Sequence, residues 1–459
     1  MATKPTIMWF RQDLRLADNP ALTAAAQSGA VLPIYILDDV NAGEWAMGGA
    51  SRWWLHHSLA ALDKSLHGKL ALYRGDAREI IPALIAEAGA GGIMWNRSYE
   101  PWRTARDKQI KESVENAQSF KGTVLYEPWE IQKGDGTPYR VFTPFYKANL
   151  ARGDIALPLP TPQIKCVPRP ASSLSLDDLA LLPTKPRWDK KMEQYWTPGE
   201  DGARERLLNF NDEAITHYKT GRDRPDQQNV SRLSPHLHYG EISPRQIWHI
   251  VGDRSEAFTR QLFWREFSLS LLFFNPTLPA QPLLPKFNTF AWHKDDTALS
   301  KWQRGQTGYP IIDAGMRELW ETGTMHNRVR MVVASFLIKD LLIHWTEGEK
   351  WFWDTLCDAD LANNAASWQW VAGCGADAAP YFRVFNPVTQ GTKFDPEGDY
   401  VRRWVPELAK MPAKYIHAPW DAPDNVLSYA GVALGKTYPA PMIDHARARD
   451  RALALYKEL

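Results

Sequence analysis

The chain is poor in cysteine, carries almost no net charge and has no long uninterrupted apolar run. Each shortage removes a class of answer. Only three of its 459 residues are cysteine: Cys166, Cys357 and Cys374. Their number is odd and no two form a C-x-x-C pair. That sets aside a disulfide framework and a cysteine-based zinc site, and a reducing, cytoplasmic setting is expected. The formal net charge is +1, so no global field announces a nucleic acid. Any such partner must be met by a local basic patch. The longest apolar stretch, Met331 to Trp345, contains Lys339, Asp340 and His344. It reads as a buried helix, and no membrane association is expected. The N-terminal run MATKPTIMWF enters a strand-like pattern at once and has no signal-peptide layout. Internal repeats and low-complexity tracts are absent from the sequence. Tryptophan, by contrast, is abundant, with 21 residues. Its ring packs well, is oxidisable and stacks on bases. Hydrophobic content of 44% and charged content of 23% mark an ordinary globular chain, long enough for two or three domains.

Residues 6–129 alternate in type. The strand-like runs TIMWF, AVLPIYIL, LALYRG, GIMWNRSY and TVLYEPW are separated by helix-like runs at Asn19–Ser28, Ser51–Leu66, Asp76–Ala88 and Pro101–Ser119. This alternation predicts a doubly wound parallel sheet, with ligand sites at the carboxyl ends of its strands. Ser51 reads as a helix N-cap, with Trp54, Ser58 and Leu62 on one face. Gly89-Ala90-Gly91-Gly92 precedes a strand instead of following one, so it reads as a helix-to-strand turn and not a dinucleotide fingerprint. Prolines then recur and periodicity fades, which predicts a long surface connector with short helical pieces. Beyond it the pattern is helical. Ile312, Met316 and Leu319 share a face, and Gly323 closes their segment. The expected architecture is an α/β domain over residues 1–130, a connector over 131–199 and an all-helical domain over 200–459.

The densest chemistry lies in CDADLANNAASWQW, Cys357 to Trp370. Asp358, Asp360, Asn363 and Asn364 precede Trp368 and Trp370. A helix here puts Asn364 and Trp368 on one face. Polar groups in an aromatic setting are costly to bury unless paired. The stretch therefore either solves a packing problem or holds a flat, polar ligand. Four other runs add to it. WFRQDLRLADNPAL, Trp9 to Leu22, reads as a salt-bridged strand end. In the run Tyr218 to Pro244, Ser231, Arg232 and Ser234 stand before Pro235 at a helix start, as either a cap or a phosphate site. His236 and His238 in that run lack a third ligand of fitting spacing, and no metal site is expected. In RQLFWREF, Gln261 and Trp264 are at i and i+3 beside Arg265. The run Gly308 to Met331 gathers His326, Asn327, Arg328 and Arg330, where two arginines suit phosphate oxygens.

Together these runs resemble the photolyase/cryptochrome family, and most closely the class I cyclobutane pyrimidine dimer (CPD) photolyases. The match extends from WFRQDLR to WVPEL at Trp404–Leu408. It passes through TGYPIIDAGMREL, MHNRVRM, ASFLIKDLL, DADLANN, WQW and PYFRVFNP. The resemblance implies an N-terminal antenna-binding domain and a helical domain holding a noncovalent, U-shaped FAD. It implies a monomer that repairs UV-damaged DNA, single- or double-stranded, under blue light. Enzymes that do chemistry on a base, photolyases among them, take it out of the stack. Excited reduced FAD then gives one electron to the dimer, the ring splits and the electron returns.

By position, the resemblance implies a flavin site of Tyr218, Val230, Ser231, Arg232, Leu233, Ser234, Gln261, Arg265, Asp358, Ala359, Asp360 and Asn364. Asn364 is implied opposite the flavin N5. It implies lesion and DNA contacts at Arg222, Gln261, Trp264, Arg265, Asn327, Arg328, Met331, Trp370 and Gln390. Trp292, Trp345 and Trp368 match the electron-transfer chain that reduces the flavin from the surface. The sequence departs from the class I pattern in places. Gln261 replaces a usual Glu, Val230 a usual Thr and Thr324 a usual Trp. Gln261 is more like the (6-4) photolyases and animal cryptochromes, but those carry two adjacent histidines where this chain has His326-Asn327. Trp102 and Arg103 stand where folate-type members have Asn and Glu. A second, antenna chromophore (deazaflavin, flavin or folate) and an empty pocket both stay open. The alternatives to CPD repair are a cryptochrome-type blue-light photoreceptor and a (6-4) photolyase.

Overall fold

A computed structural model describes residues 4–378 and 382–459. Pro380 and Tyr381 of the PYFRVFNP run lie outside the described residues. The chain divides into two compact units. The first comprises Met1–Ile215, Ser231–Pro276 and Cys357–Ala362, and the second Thr216–Val230, Thr277–Leu356 and Asn363–Leu459.

The first unit is built on five strands: β1 (Thr6–Phe10), β2 (Val31–Leu37), β3 (Ala71–Arg74), β4 (Gly92–Asn96) and β5 (Ala117–Phe120). They pair in parallel in the order β3-β2-β1-β4-β5. β1 is buried throughout because both faces are covered. Met8 and Phe10 join one core, with Trp53 and Trp54; Ile7 and Trp9 join the other, with Trp95. Two helices of this unit, Pro20–Ser28 and Ala77–Ala88, start on side-chain caps. Asn19 accepts from Leu22 N–H and Asp76 from Arg78 N–H. Gly89, with φ +57, ends the helix that leads into β4, as the turn reading expects. Ser51 is not a cap: its helix begins at Gly49, and its carbonyl accepts from Tyr239 Oη at 2.8 Å.

Strand order reverses between β1 and β4, where open α/β sheets offer a crevice at their carboxyl ends. The arginines beside it are paired. Arg11 lies 2.6 Å from Asp107, Arg106 3.1 Å from Asp38 and Arg103 2.5 Å from Glu100. Arg106 also sits over the Trp9 ring at 4.6 Å, and Arg103 over Trp102 at 4.4 Å. The salt-bridged strand end read from WFRQDLR is present.

Two expectations give way. The TVLYEPW run is not a strand; β5 comes earlier, after a helix that ends at Ser113 and a left-handed Asn116 (φ +59). The run's backbone is claimed by a side chain instead. The buried Glu266 carboxylate accepts from Leu125 N–H, and from Tyr126 N–H at 3.1 Å. The connector also does more than cross the surface. Val31 N–H bonds Lys165 O and Leu174 N–H bonds Leu72 O, so it adds backbone pairs beside β2 and β3. It also buries Leu179, Leu181, Met192 and Trp196 in the core.

The second unit is helical. Helices Pro310–Thr322, Asn327–Ser335 and Trp345–Thr355 belong to it, with most of Leu361–Ala372. Gly323, with φ +69, closes the first as expected. The apolar run Met331–Trp345 is not one helix. It passes through a π-helical turn at Phe336–Asp340 and a left-handed Leu342 (φ +56). The turn gives two buried charges separate partners. Lys339 Nζ donates to Arg383 O and lies 4.4 Å from the Phe382 ring centroid, while Asp340 Oδ1 is 2.5 Å from His445 Nδ1. Among the described residues no helix is long and apolar enough to cross a membrane.

Burial raises the Glu266 carboxyl from its ordinary 4.5 to about 7, against the two backbone N–H groups and Arg265. A carboxyl whose folded pKa exceeds its unfolded one contributes fully below about 4.5 and loses that contribution as pH rises through about 7. Wild-type stability relative to Glu266→Gln should therefore fall by up to about 3 kcal/mol between pH 5 and 8. Paired denaturant unfolding curves test this, and a pH-independent difference contradicts it.

Candidate functional site

In the first unit, the helix Glu256–Phe274 carries Gln261, Trp264 and Arg265. Trp264 stacks on Phe142 at 3.7 Å and 6°, so one ring face is covered by the connector, and its side chain is half-buried. Arg265 donates to Thr123 O at 3.0 Å, and Gln261 Nε2 to Ala257 O at 3.0 Å. The short helix Ser234–His238 starts where Pro235 predicted, but Leu233 occupies the cap and no side chain caps it. Ser231 Oγ accepts from Leu233 N–H at 3.3 Å, and Arg232 is left-handed at φ +51. His236 pairs with Glu241 at 2.5 Å, both fully buried, which is a structural role. Asp358 and Asp360 are half-buried around the buried Ala359, and Asp360 Oδ2 lies 3.6 Å from His238 Nδ1.

In the second unit, Asn364 and Trp368 share a helical face as expected, and both are buried. Asn364 Nδ2 donates to Glu349 O at 3.0 Å. A backbone carbonyl only accepts, so the amide is fixed with its NH2 toward helix Trp345–Thr355. The Trp368 ring lies on Gly348 of that helix, where any added Cβ would collide with it. Trp345, Gly348, Glu349 and Phe352 form the buried face that receives it. Trp368 also meets Phe352 edge-on at 5.0 Å.

Elsewhere in the second unit the other expected residues hold defined places. Tyr218 is buried, with Arg222 5.6 Å from its ring, and Val230 is half-buried. Asn327 is exposed at the start of its helix, 4.0 Å from Met331 Sδ. Arg328 bonds Asp223 at 2.9 Å and covers the Phe394 ring at 4.4 Å. Trp370 donates to Asp377 O at 3.1 Å. Gln390 lies on helix Pro387–Phe394, its Oε1 buried. Trp368 and Trp345 are fully buried, and Trp292 is partly exposed. The His344 ring contacts both Trp292, at 5.0 Å, and Trp345, at 5.5 Å.

Sequence reasoning missed Gly348, His344 and Phe142. The first two follow or precede Trp345 within WTEG and IHW, a local signal that was legible. Phe142 acts through a long-range contact, and its surroundings in sequence carry no such mark.

Two family descriptions match the chain: "DNA photolyase" over residues 6–163 and "FAD binding domain of DNA photolyase" over residues 258–458. The deoxyribodipyrimidine photo-lyase of Agrobacterium fabrum is 51% identical, over 99% of this chain and 98% of that protein. Cryptochrome-1 of Arabidopsis thaliana is 38% identical, over 97% of this chain and 69% of that protein. The crystal structure of a bacterial class III photolyase from Agrobacterium tumefaciens superposes with a TM-score of 0.95 at 50% identity, covering 100% of this chain and 98% of that one. The chain belongs to the photolyase/cryptochrome family and carries that family's FAD-binding domain.

Gly348→Ala should destabilise the protein by about 1–3 kcal/mol, although alanine is the better helix former, because the added methyl overpacks Trp368. Denaturant unfolding reads the change; a neutral or stabilised variant contradicts the packing.

Proposed function

We propose that the protein is a light-driven DNA repair enzyme, a deoxyribodipyrimidine photo-lyase that splits cyclobutane pyrimidine dimers. The observation that carries this is the pairing of a fixed, buried amide with a graded series of tryptophans in the second unit. The donor set fits FAD. Ser231 and Ser234 are not used as helix caps, which suits a pyrophosphate together with Arg232. Asp358 and Asp360 suit ribityl or ribose hydroxyls. Asn364, its NH2 held by Glu349 O, presents Oδ1 as the acceptor for an N5 proton, and adds no charge. FAD, when bound, supplies light absorption and one-electron transfer. The chain's own residues bind, orient and exclude water. A second, antenna chromophore (deazaflavin, flavin or folate) is compatible with this function.

By the resemblance, Trp264, stacked on Phe142, and Trp370, its ring anchored at Asp377 O, are assigned to the lesion as flat apolar surfaces. By the resemblance, Gln261, Asn327 and Met331 are likewise assigned to the lesion and Gln390 to the DNA. Arg222 and Arg328 hold phosphates, Arg328 exchanging Asp223 for the backbone. The motifs resemble class I, whereas a solved relative at 50% identity is a class III photolyase. Identity over the full length outweighs the motif resemblance, so we place the chain with class III. The domain division at 130 and 199 is retained as the functional one, and the protein is read as monomeric.

A blue-light photoreceptor is the second reading, favoured by the 38% identity to a plant cryptochrome. A (6-4) photolyase rests on Gln261 alone. One assay separates them: reduced protein, DNA bearing either lesion, illumination, and a count of restored pyrimidines. CPD repair is expected; repair of neither lesion favours the photoreceptor. Arg222→Ala should weaken DNA binding and lower the slope of log K against log salt by about 1. An unchanged slope removes Arg222 from the phosphate contacts. Trp368→Phe should slow light-driven flavin reduction about tenfold or more, since a phenyl ring is far harder to oxidise. A wild-type rate contradicts the tryptophan chain.

A further inference from the structure

His344 sits where the tryptophan series leaves the buried core. It caps helix Trp345–Thr355, Nδ1 accepting from Thr346 N–H at 3.3 Å and lying 2.7 Å from Thr346 Oγ1. Because Nδ1 accepts a backbone N–H, the neutral ring carries its proton on Nε2. The ring centroid is 5.0 Å from Trp292, edge-on at 69°, and 5.5 Å from Trp345 at 30°. One imidazole thus touches both tryptophans, the buried one and the partly exposed one.

We propose that His344 is a positioning residue for photoreduction: its neutral ring holds Trp345 and Trp292 in one contact, and protonation of that ring closes the path. The proposal rests on the tryptophan chain of the proposed function. With FAD bound, Trp368 would be the residue that gives up one electron to it in light. Trp368 regains it from Trp345, and Trp345 from Trp292. Trp292, left one electron short at the surface, loses its Nε1 proton to water and is re-reduced by an external thiol. A neutral imidazole leaves the positive charge on either indole unopposed. An imidazolium about 5 Å from both repels that charge wherever it stands. It also cannot accept the Thr346 N–H, so the cap that fixes the ring is lost.

Burial pushes the His344 pKa below the ordinary histidine value of 6.5, with Glu347 raising it and Lys350 lowering it from the same helix. On the facing segment, His293 and Lys294 follow Trp292, and His293 N–H bonds Leu342 O at 2.7 Å. The neutral form therefore prevails at neutral pH, and the path closes only in acid.

The test follows light-driven flavin reduction in the flavin-loaded protein with external thiol across pH about 5 to 8. Wild type should slow about tenfold at the acid end. His344→Asn keeps a cap-forming side chain and removes the titrating ring, so its rate should be flat with pH. In flavin-free protein, part of the tryptophan emission should be quenched as His344 protonates, and this step should vanish in His344→Asn. An acid decline that survives in His344→Asn, or a flat wild-type profile, overturns the proposal. Trp292→Phe separates the two levels. If that variant reduces flavin at the wild-type rate, the tryptophan chain itself fails. If it is slow while His344→Asn keeps the acid decline, only the role of His344 fails.

Discussion

The contact of helix Leu361–Ala372 with helix Trp345–Thr355 is the constraint that the functional reading depends on. A tryptophan ring lies on a glycine, and one turn away an amide lies on a backbone carbonyl. The ring needs bare backbone at Gly348, and the amide needs the carbonyl of Glu349. Any side chain at position 348 would lift Trp368 and draw Asn364 from its anchor. The amide's orientation, the depth of Trp368 and the approach to Trp345 are therefore set together.

Buried charges shape the remainder of both units. In the first, three arginines at the carboxyl end of the sheet pair with Asp107, Asp38 and Glu100, while Arg11 and Arg106 also lie over the Trp9 ring and Arg103 over Trp102. Glu266 replaces a strand's ladder bonds with carboxylate bonds to the 125–126 backbone. In the second, Lys339 and Asp340 lie in a π-helical turn and meet separate partners, Arg383 O and His445. In both places a buried ion takes partners that regular structure would not have given it.

These same ions mark where sequence reading stopped. Four of the five strands, the Gly89 and Gly323 helix ends and the Asn364/Trp368 face follow from periodicity and turn chemistry, which are local, whereas Ser51, the expected cap, lies inside its helix. The TVLYEPW run has every mark of a strand, yet a glutamate 140 residues on takes its N–H groups. The Met331–Trp345 run has the pattern of one helix, but Lys339 and Asp340 find partners in distant segments. Of the site, the residue types were legible and their partners were not. Phe142 behind Trp264 and Asp223 beside Arg328 are contacts made only by folding. His344 was visible as a letter beside Trp345, and its contact with Trp292 was not.

The central claim is that this chain encloses a noncovalently held FAD. The visible absorption spectrum of the purified protein, before and after denaturation, tests it most directly. The account predicts a coloured protein that releases one FAD per chain when unfolded. A preparation that is colourless, and stays so after incubation with FAD, contradicts it.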